Sequence, residues 1–374
     1  MNCIELFAGA GGSALGLEAA GFSHLACIEN DPDACATLRA AGLPCVEGDV
    51  RDPDLYESEW VGCDLLWSSF PCQAWSTAGK RRGAGDERGG DMWQATVDAI
   101  DCLEPEWFAA ENVTGLLQHK GCSSRCLGPE ECPRSYFDNV ILSQLRARFA
   151  WVGFRVLNAS AFGVPQHRRR VIIVAGPHAI EWPQPTHGEP SKQDDLFGRS
   201  LLPWESAGDA LDLMGIMHTG GEDYRERDDR KTRERPAPTT EPAPTVGGGG
   251  NAMITPGPRL SHPAPTVGDG GDSLAGSRPE QLDRPSPTVT ATEAKGSRGE
   301  HISTRHSGLE RASDALYLAT GRRILTIEEC ATLQDFPTGH PFQGNKTSRY
   351  RQVGNAVPPK LAEVVGRAIL KAAQ

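Results

Sequence analysis

The chain has 374 residues, 38% hydrophobic and 23% charged, a composition ordinary for a globular protein and long enough for two domains. Its formal net charge of −11 argues against a wholesale polyanion binder, while leaving room for a local basic face that touches nucleic acid. No apolar stretch nears the roughly 18 residues of a membrane helix. Met1–Phe7 has no basic signal segment, and eleven scattered cysteines read as reduced thiols, so a cytoplasmic protein without a membrane partner is expected.

Taken in order, Cys3–Phe7 reads as a strand, Ser13–Ala20 as a helix and His24–Glu29 as a second strand. Cys45–Glu47 and Asp64–Trp67 are the next strands, and Met92–Leu103 is a helix ahead of the strand Trp107–Glu111. Tyr136–Phe149 has helical period, and Val171–Ala175 is a strongly apolar strand. Such alternation implies an α/β fold, a mostly parallel sheet with helices on both faces.

Beyond Gly176-Pro177 the composition turns to Pro, Gly, Thr and charge, and the chain repeats itself. Pro242-Ala243-Pro244-Thr245-Val246 recurs from Pro263 and, as Pro-Ser-Pro-Thr-Val, from Pro285, with starts 21 and 22 residues apart. Two readings stand: a low-complexity linker, or similar extended arms bringing Thr-Val pairs to one surface. From Arg323 regular pattern returns, with helices expected over Thr326–Leu333 and Pro359–Leu370 and a tight turn over 352–359.

The most telling stretch is Ser68-Ser69-Phe70-Pro71-Cys72-Gln73, a thiol just past a buried strand, where open α/β sheets bind their ligands. Proline beside the cysteine stiffens the loop. Glycines in Phe7-Ala8-Gly9-Ala10-Gly11-Gly12 permit a tight turn and close ligand approach, and Glu29 ends the next strand 20 residues after Gly9, suited to ribose hydroxyls. The spacing lacks the full dinucleotide pattern and there is no P-loop lysine, so with Asp49 the loop suggests a nucleoside cofactor without a pyrophosphate.

Glu111-Asn112 follows Trp107–Ala110, and desolvation at the end of an apolar strand favours the protonated form of a carboxyl. Taken alone Glu111 would be a surface acid or cap; next to Cys72 on a neighbouring strand it completes a thiol and proton donor suited to attack on an electron-poor ring. In Gln166-His167-Arg168-Arg169-Arg170, strand alternation puts 166, 168 and 170 on one face. Arginine near Cys72 would favour the thiolate and could hold a ring carbonyl. Lys80-Arg81-Arg82, among glycines, is either a plain surface loop or a lid that touches phosphate.

Together these segments resemble the cytosine-C5 DNA methyltransferases, over residues 2–176 and 323–370. The glycine loop is similar to the family's cofactor loop, Pro71-Cys72-Gln73 to its nucleophile motif, and Glu111-Asn112-Val113 to its acidic motif. Gln166-x-Arg168-x-Arg170 resembles its arginine motif, Thr326 through Pro337 the segment that packs the target-recognition domain, and Gly354-Asn355-Ala356-Val357 its last motif. The resemblance implies a Rossmann-like methyltransferase sheet (1–176), a smaller irregular target-recognition domain (177–322) and a returning C-terminal segment (323–374). It implies S-adenosylmethionine held by Phe7, Gly9, Gly11, Gly12, Glu29, Asp49, Val50, Pro71, Met92 and Asn355. Cys72, Glu111, Arg168 and Arg170 would be catalytic, and Gln73, Ser76, Lys80, Asn112 and Gln166 would touch the base or DNA.

The implied reaction flips a cytosine from double-stranded DNA, adds Cys72 to C6, and methylates C5. The implied setting is a bacterial or phage monomer acting on nucleoid DNA, with a cognate restriction endonuclease as functional partner. A tRNA methyltransferase of the same family, or a silent DNA-binding homologue, are the alternatives. The loop departs from the family's usual Gly-Gly-Pro before Pro-Cys-Gln and Pro-Phe after it, having Ser68-Ser69-Phe70 and Ala74-Trp75 instead. Cys122, Cys126 and Cys132, near His119, do not match a familiar zinc pairing, so free thiols and no metal are expected.

Overall fold

The computed structural model describes residues 1–71, 92–117, 136–189, 200–212 and 323–374, with the two-residue strands at 253–254 and 286–287. Cys72, Gln73, Ser76, Lys80, the cysteine insertion and most of the proline repeats lie outside the described residues.

The order is β1 (Asn2–Leu6), α1 (Gly12–Ala20), β2 (Ser23–Glu29), α2 (Pro32–Ala40), β3 (Cys45–Glu47), β4 (Leu65–Ser68), α3 (Met92–Leu103) and β5 (Trp107–Val113). Next come α4 (Leu142–Arg146), β6 (Trp151–Asn158), β7 (Gln166–His167), β8 (Arg169–Gly176), β9 (His187–Gly188), β10 (Leu202–Pro203) and α5 (Ala207–Asp212). The strands β11 (Met253–Ile254), β12 (Ser286–Pro287) and β13 (Arg323–Ile324) precede α6 (Ile327–Leu333), α7 (Lys346–Asn355) and α8 (Pro359–Ala372).

Seven strands form one sheet in the order β3-β2-β1-β4-β5-β8-β6. All neighbouring pairs are parallel except those of β8, which runs antiparallel to both β5 and β6. The short link from β6 to β8 explains the reversal, since a parallel pair needs a crossover and an antiparallel pair does not. The strand order turns between β1 and β4, so the loops after β1, β2, β4 and β5 meet at the switch point where such sheets bind ligands.

Both faces of the sheet are covered, which is why its central strands read as unbroken apolar runs. Ile4, Ile28, Leu66 and Phe108 pack on Trp93, Val97 and Ile100 of α3, while Cys3, Leu65, Trp67 and Trp107 share the other core with Leu361, Val365 and Ile369 of α8. Local chemistry sets the helix ends. Asp31 caps α2 by accepting from the N–H groups of Asp33 and Ala34, with Pro32 in the first turn, and Thr326 and Glu329 form a capping box on α6.

Three sequence expectations change. The segment 352–359 is not one turn: residues up to Asn355 complete α7, and only 356–358 link it to α8. The helix expected over 136–149 is a π-helical turn, Phe137–Ile141, followed by the short α4. Strict alternation through 166–170 also fails, because the strand breaks at Arg168, between β7 and β8. Of the third proline repeat, Ser286 and Pro287 pair in parallel with Gln166 and His167, an extended arrangement beside the arginine segment.

Candidate active site

The glycine loop leaves β1 through Phe7 (φ +57°), Gly9 (φ +55°) and Gly11 (φ +83°), all left-handed. Glycine at 9 and 11 takes this conformation without the Cβ strain that Phe7 carries. Glu29, at the end of β2, locks the loop: its Oε2 accepts from Gly9 N at 2.8 Å, and its Oε1 from Asn30 N and Asp31 N at 2.9 and 2.8 Å. Its carboxylate thus faces the loop with acceptor capacity to spare. A Cβ at Gly9 would meet nothing within 4 Å, so space lies open beside that loop. Gly12 is different. A Cβ there would sit 2.2 Å from the Val357 carbonyl, so its glycine is required by the α7–α8 turn pressed against it.

The other residues assigned to the cofactor line the same sheet edge. Asp49 follows β3 and is held by Arg51 through Nε at 2.9 Å; that guanidinium keeps the Asp49 carboxyl below the usual range. Val50 is buried, and its carbonyl accepts from Tyr56 OH at 2.6 Å. Pro71 is exposed at the end of the β4 loop, Met92 is half-buried at the start of α3, and Asn355 is exposed at the end of α7.

Across the switch point, β5 presents Glu111 and Asn112. Glu111 Oε1 lies 2.6 Å from Arg170 Nε on the adjacent β8, and both side chains are close to nine-tenths enclosed. Asn112 Nδ2 donates to the Phe70 carbonyl at 3.1 Å, which ties β5 to the segment leading into Cys72. That segment is well anchored. Ser68 Oγ is 3.1 Å from Thr96 Oγ1, Ser69 Oγ accepts from Trp67 Nε1 at 3.1 Å, and the buried Phe70 packs on Trp93 with centroids 5.3 Å apart.

The two motif arginines go to different places. Arg170 meets Glu111. Arg168, only 1% exposed, donates from Nη2 to the carbonyls of Gly354 and Ala356 at 3.1 and 2.9 Å, clasping the residues on either side of Asn355. Gln166 is fully buried, and neither amide atom has a hydrogen-bond partner among the described residues. Sequence reasoning missed His340, whose Nε2 donates to the Ala10 carbonyl of the glycine loop at 3.0 Å; a partner 330 residues away leaves no local signal.

The profile described as C-5 cytosine-specific DNA methylase matches residues 1–371. The chain belongs to that family. Family members transfer a methyl group from S-adenosylmethionine to C5 of cytosine in DNA, and the pinned Glu29 carboxylate with open space at Gly9 fits that cofactor. The Type II methyltransferase M.NgoMIV of Neisseria gonorrhoeae is 32% identical, covering 99% of this chain and 97% of its own. M.NaeI of Lentzea aerocolonigenes is 31% identical over 99% of this chain and 74% of its own. Among solved structures, the methyltransferase EhMeth of Entamoeba histolytica superposes with a TM-score of 0.56 at 12% identity, and S. pombe Dnmt2 with 0.52 at 14%. Each covers 100% of this chain and 99% of the other, a likeness of fold.

Proposed function

We propose that this methylase acts as a Type II modification enzyme: it flips one cytosine out of a specific duplex sequence and methylates it through a covalent bond between Cys72 Sγ and C6. The ion pair of Glu111 and Arg170 beside the Asn112–Phe70 tether carries this reading, because it sets an acid and a cation at the end of β5, next to the loop that bears the thiol. Bound S-adenosylmethionine supplies an electrophilic methyl group. Cys72 thiolate would add to C6 while Glu111, in its protonated form, hydrogen-bonds and protonates N3, which makes C5 nucleophilic towards that methyl group. With the methyl on C5, loss of the C5 proton to solvent, departure of Cys72 as thiolate and return of the N3 proton to Glu111 would restore the ring.

Arg170 holds Glu111 and the base carbonyl, whereas Arg168 acts on the turn around Asn355. Gln166, with its unsatisfied buried amide, takes the DNA side together with Asn112, Gln73, Ser76 and Lys80. Phe7, Gly9, Gly11, Glu29, Asp49, Val50, Pro71, Met92 and Asn355 hold the cofactor, with Gly12 giving the loop its close seat on the C-terminal turn. Residues 1–176 form the catalytic domain, 177–322 the target-recognition domain and 323–374 the segment that returns to the catalytic core. The enzyme works as a cytoplasmic monomer paired in function with a restriction endonuclease.

Incubating the protein with methyl-labelled cofactor and either plasmid DNA or tRNA tests the substrate. Label in the DNA, lost in Cys72→Ser with cofactor binding kept, is the expected result. Full turnover by Cys72→Ser, or label in tRNA alone, overturns the proposal.

A further inference from the structure

Directly beneath the glycine loop, β1 and β2 hold a group of side chains that the methylation chemistry does not use. Glu5 and Cys27 are register partners across the two strands, and both are fully buried. His24 lies beside them with its side chain completely enclosed, and its Nε2 is 3.6 Å from Glu5 Oε2. The ligand-type atoms of Glu5, His24 and Cys27 all lie within 4.8 Å of one another.

The polar atoms here are poorly served. Ser13 Oγ donates to Glu5 Oε1, which fixes the carboxylate and leaves Oε2 aimed at the imidazole. Among the described residues, Glu5 Oε2 and both ring nitrogens of His24 have no hydrogen-bond partner. Leaving such groups buried and unsatisfied is costly, and structures avoid it. On the far side of the ring, Glu18 Oε1 faces His24 Nδ1 at 3.9 Å, with that side chain 46% exposed. A carboxylate behind the second nitrogen of an imidazole is the usual device for orienting a metal-ligating histidine.

We propose that Glu5 Oε2, His24 Nε2 and Cys27 Sγ bind one divalent cation of the zinc class. Mixed O, N and S donors suit zinc, whose bond lengths of about 2.0–2.3 Å put neighbouring donors roughly 3.3–3.6 Å apart. The Glu5–His24 separation of 3.6 Å already matches, and the Cys27 sulfur lies within 4.8 Å of both donors, so the thiol moves inward to close the set. Burial pushes the free Cys27 thiol far above its usual range, so binding releases its proton. Thiolate and carboxylate then neutralise the dication, which leaves no net charge in the core. Glu5 lies two residues before Phe7, and Cys27 two before Glu29, so the ion clips together the two strands whose ends carry the cofactor loop.

The test uses the full chain with Cys122, Cys126 and Cys132 replaced by serine, so that no metal there is counted. Zinc titration should give one equivalent per chain with release of protons, and cobalt should give a sulfur-to-metal charge-transfer band. Cys27→Ser should lose the band, and His24→Gln should lose the equivalent. Glu18→Gln, which leaves the three donors in place, should weaken zinc about 10–100-fold without changing the melting temperature of the metal-free protein. A natively folded chain that takes up no zinc, or a cobalt band that survives Cys27→Ser, overturns the assignment. Should either donor variant fail to fold, the Glu18→Gln affinity decides: zinc binding unchanged there rejects the site.

Discussion

Arg170 Nε stands 2.6 Å from Glu111 Oε1 across an antiparallel strand pair, in a setting where both side chains are almost wholly enclosed. Low local polarity strengthens the pair and makes either member expensive to leave alone. Arg170→Ala should cut the single-turnover methylation rate about a hundredfold or more, the usual effect of removing one preorganised donor. Arg170→Lys should recover only part of it, since an ammonium lacks the planar fork. Rates for both, on samples shown by circular dichroism to be folded, check this; a wild-type rate for Arg170→Ala would sink the role.

Arg168 serves a different end. Its removal strands two buried carbonyls, Gly354 and Ala356, each worth about 1–3 kcal/mol when left unsatisfied. Arg168→Ala should therefore lower thermal stability markedly and weaken cofactor binding through Asn355. Calorimetry paired with cofactor titration measures both. Unchanged stability would mean that the clasp contributes nothing.

Asn112→Ala removes the donor to the Phe70 carbonyl, a hydrogen bond worth about 0.5–1.5 kcal/mol to the fold. The larger effect should be on turnover, at least tenfold, because the segment leading to Cys72 loses its tie to β5. A fall in kcat with little change in the cofactor KM is the expected pattern. Equal losses in stability and rate would point to packing alone.

Much of this was legible in the sequence because strand ends in an α/β sheet collect chemistry at predictable places. Glu29 and Glu111 were found as acids closing apolar runs, and the sheet gathers both at one edge. What escaped was long-range and polar. The end of helix α7, from Gln352, reads as a turn because the helix's buried face is Ser348, Gln352 and Gly354 as much as Tyr350 and Val353, so apolar periodicity is weak. Gln352 is held there by Thr37, whose hydroxyl donates to its Oε1 at 2.6 Å from the other end of the chain. The separate destinations of Arg168 and Arg170 were hidden for a similar reason. A break of one residue in a strand changes which way a side chain points, and no local pattern announces it.

Gly12 tests the seat of the cofactor loop. A methyl group there would lie 2.2 Å from the Val357 carbonyl and 3.2 Å from Phe336 Cζ, so loop and turn must separate. Overpacking of this kind costs about 1–3 kcal/mol. Gly12→Ala should lower the melting temperature and weaken cofactor binding together, whereas Gly42→Ala, strained by its φ of +80° but with nothing within 4 Å of its Cβ, should lower the melting temperature and leave cofactor binding unchanged. Tight cofactor binding by Gly12→Ala would show that the close contact is dispensable.

Asp335 provides a pH test. Burial raises its pKa to about 6, with the Lys360 N–H and ammonium opposing that shift and Glu363 adding to it. In the unfolded chain an aspartate titrates near 3.9. Between about pH 4 and pH 6 the folded protein therefore keeps a proton that the unfolded chain has released. The contribution of Asp335 is full below that window, declines as pH rises through it, and above pH 6 leaves a constant deficit. A shift of about two units corresponds to at most about 3 kcal/mol. Asp335 has φ +67°, which asparagine tolerates, and asparagine still offers an oxygen to Lys360 N, bound now at 2.9 Å. Asp335→Asn should thus be more stable than wild type at pH 7.5, with the advantage shrinking towards pH 4.5. Melting curves of both proteins across that range measure the difference, and a gap that stays constant with pH would remove Asp335 from the titration.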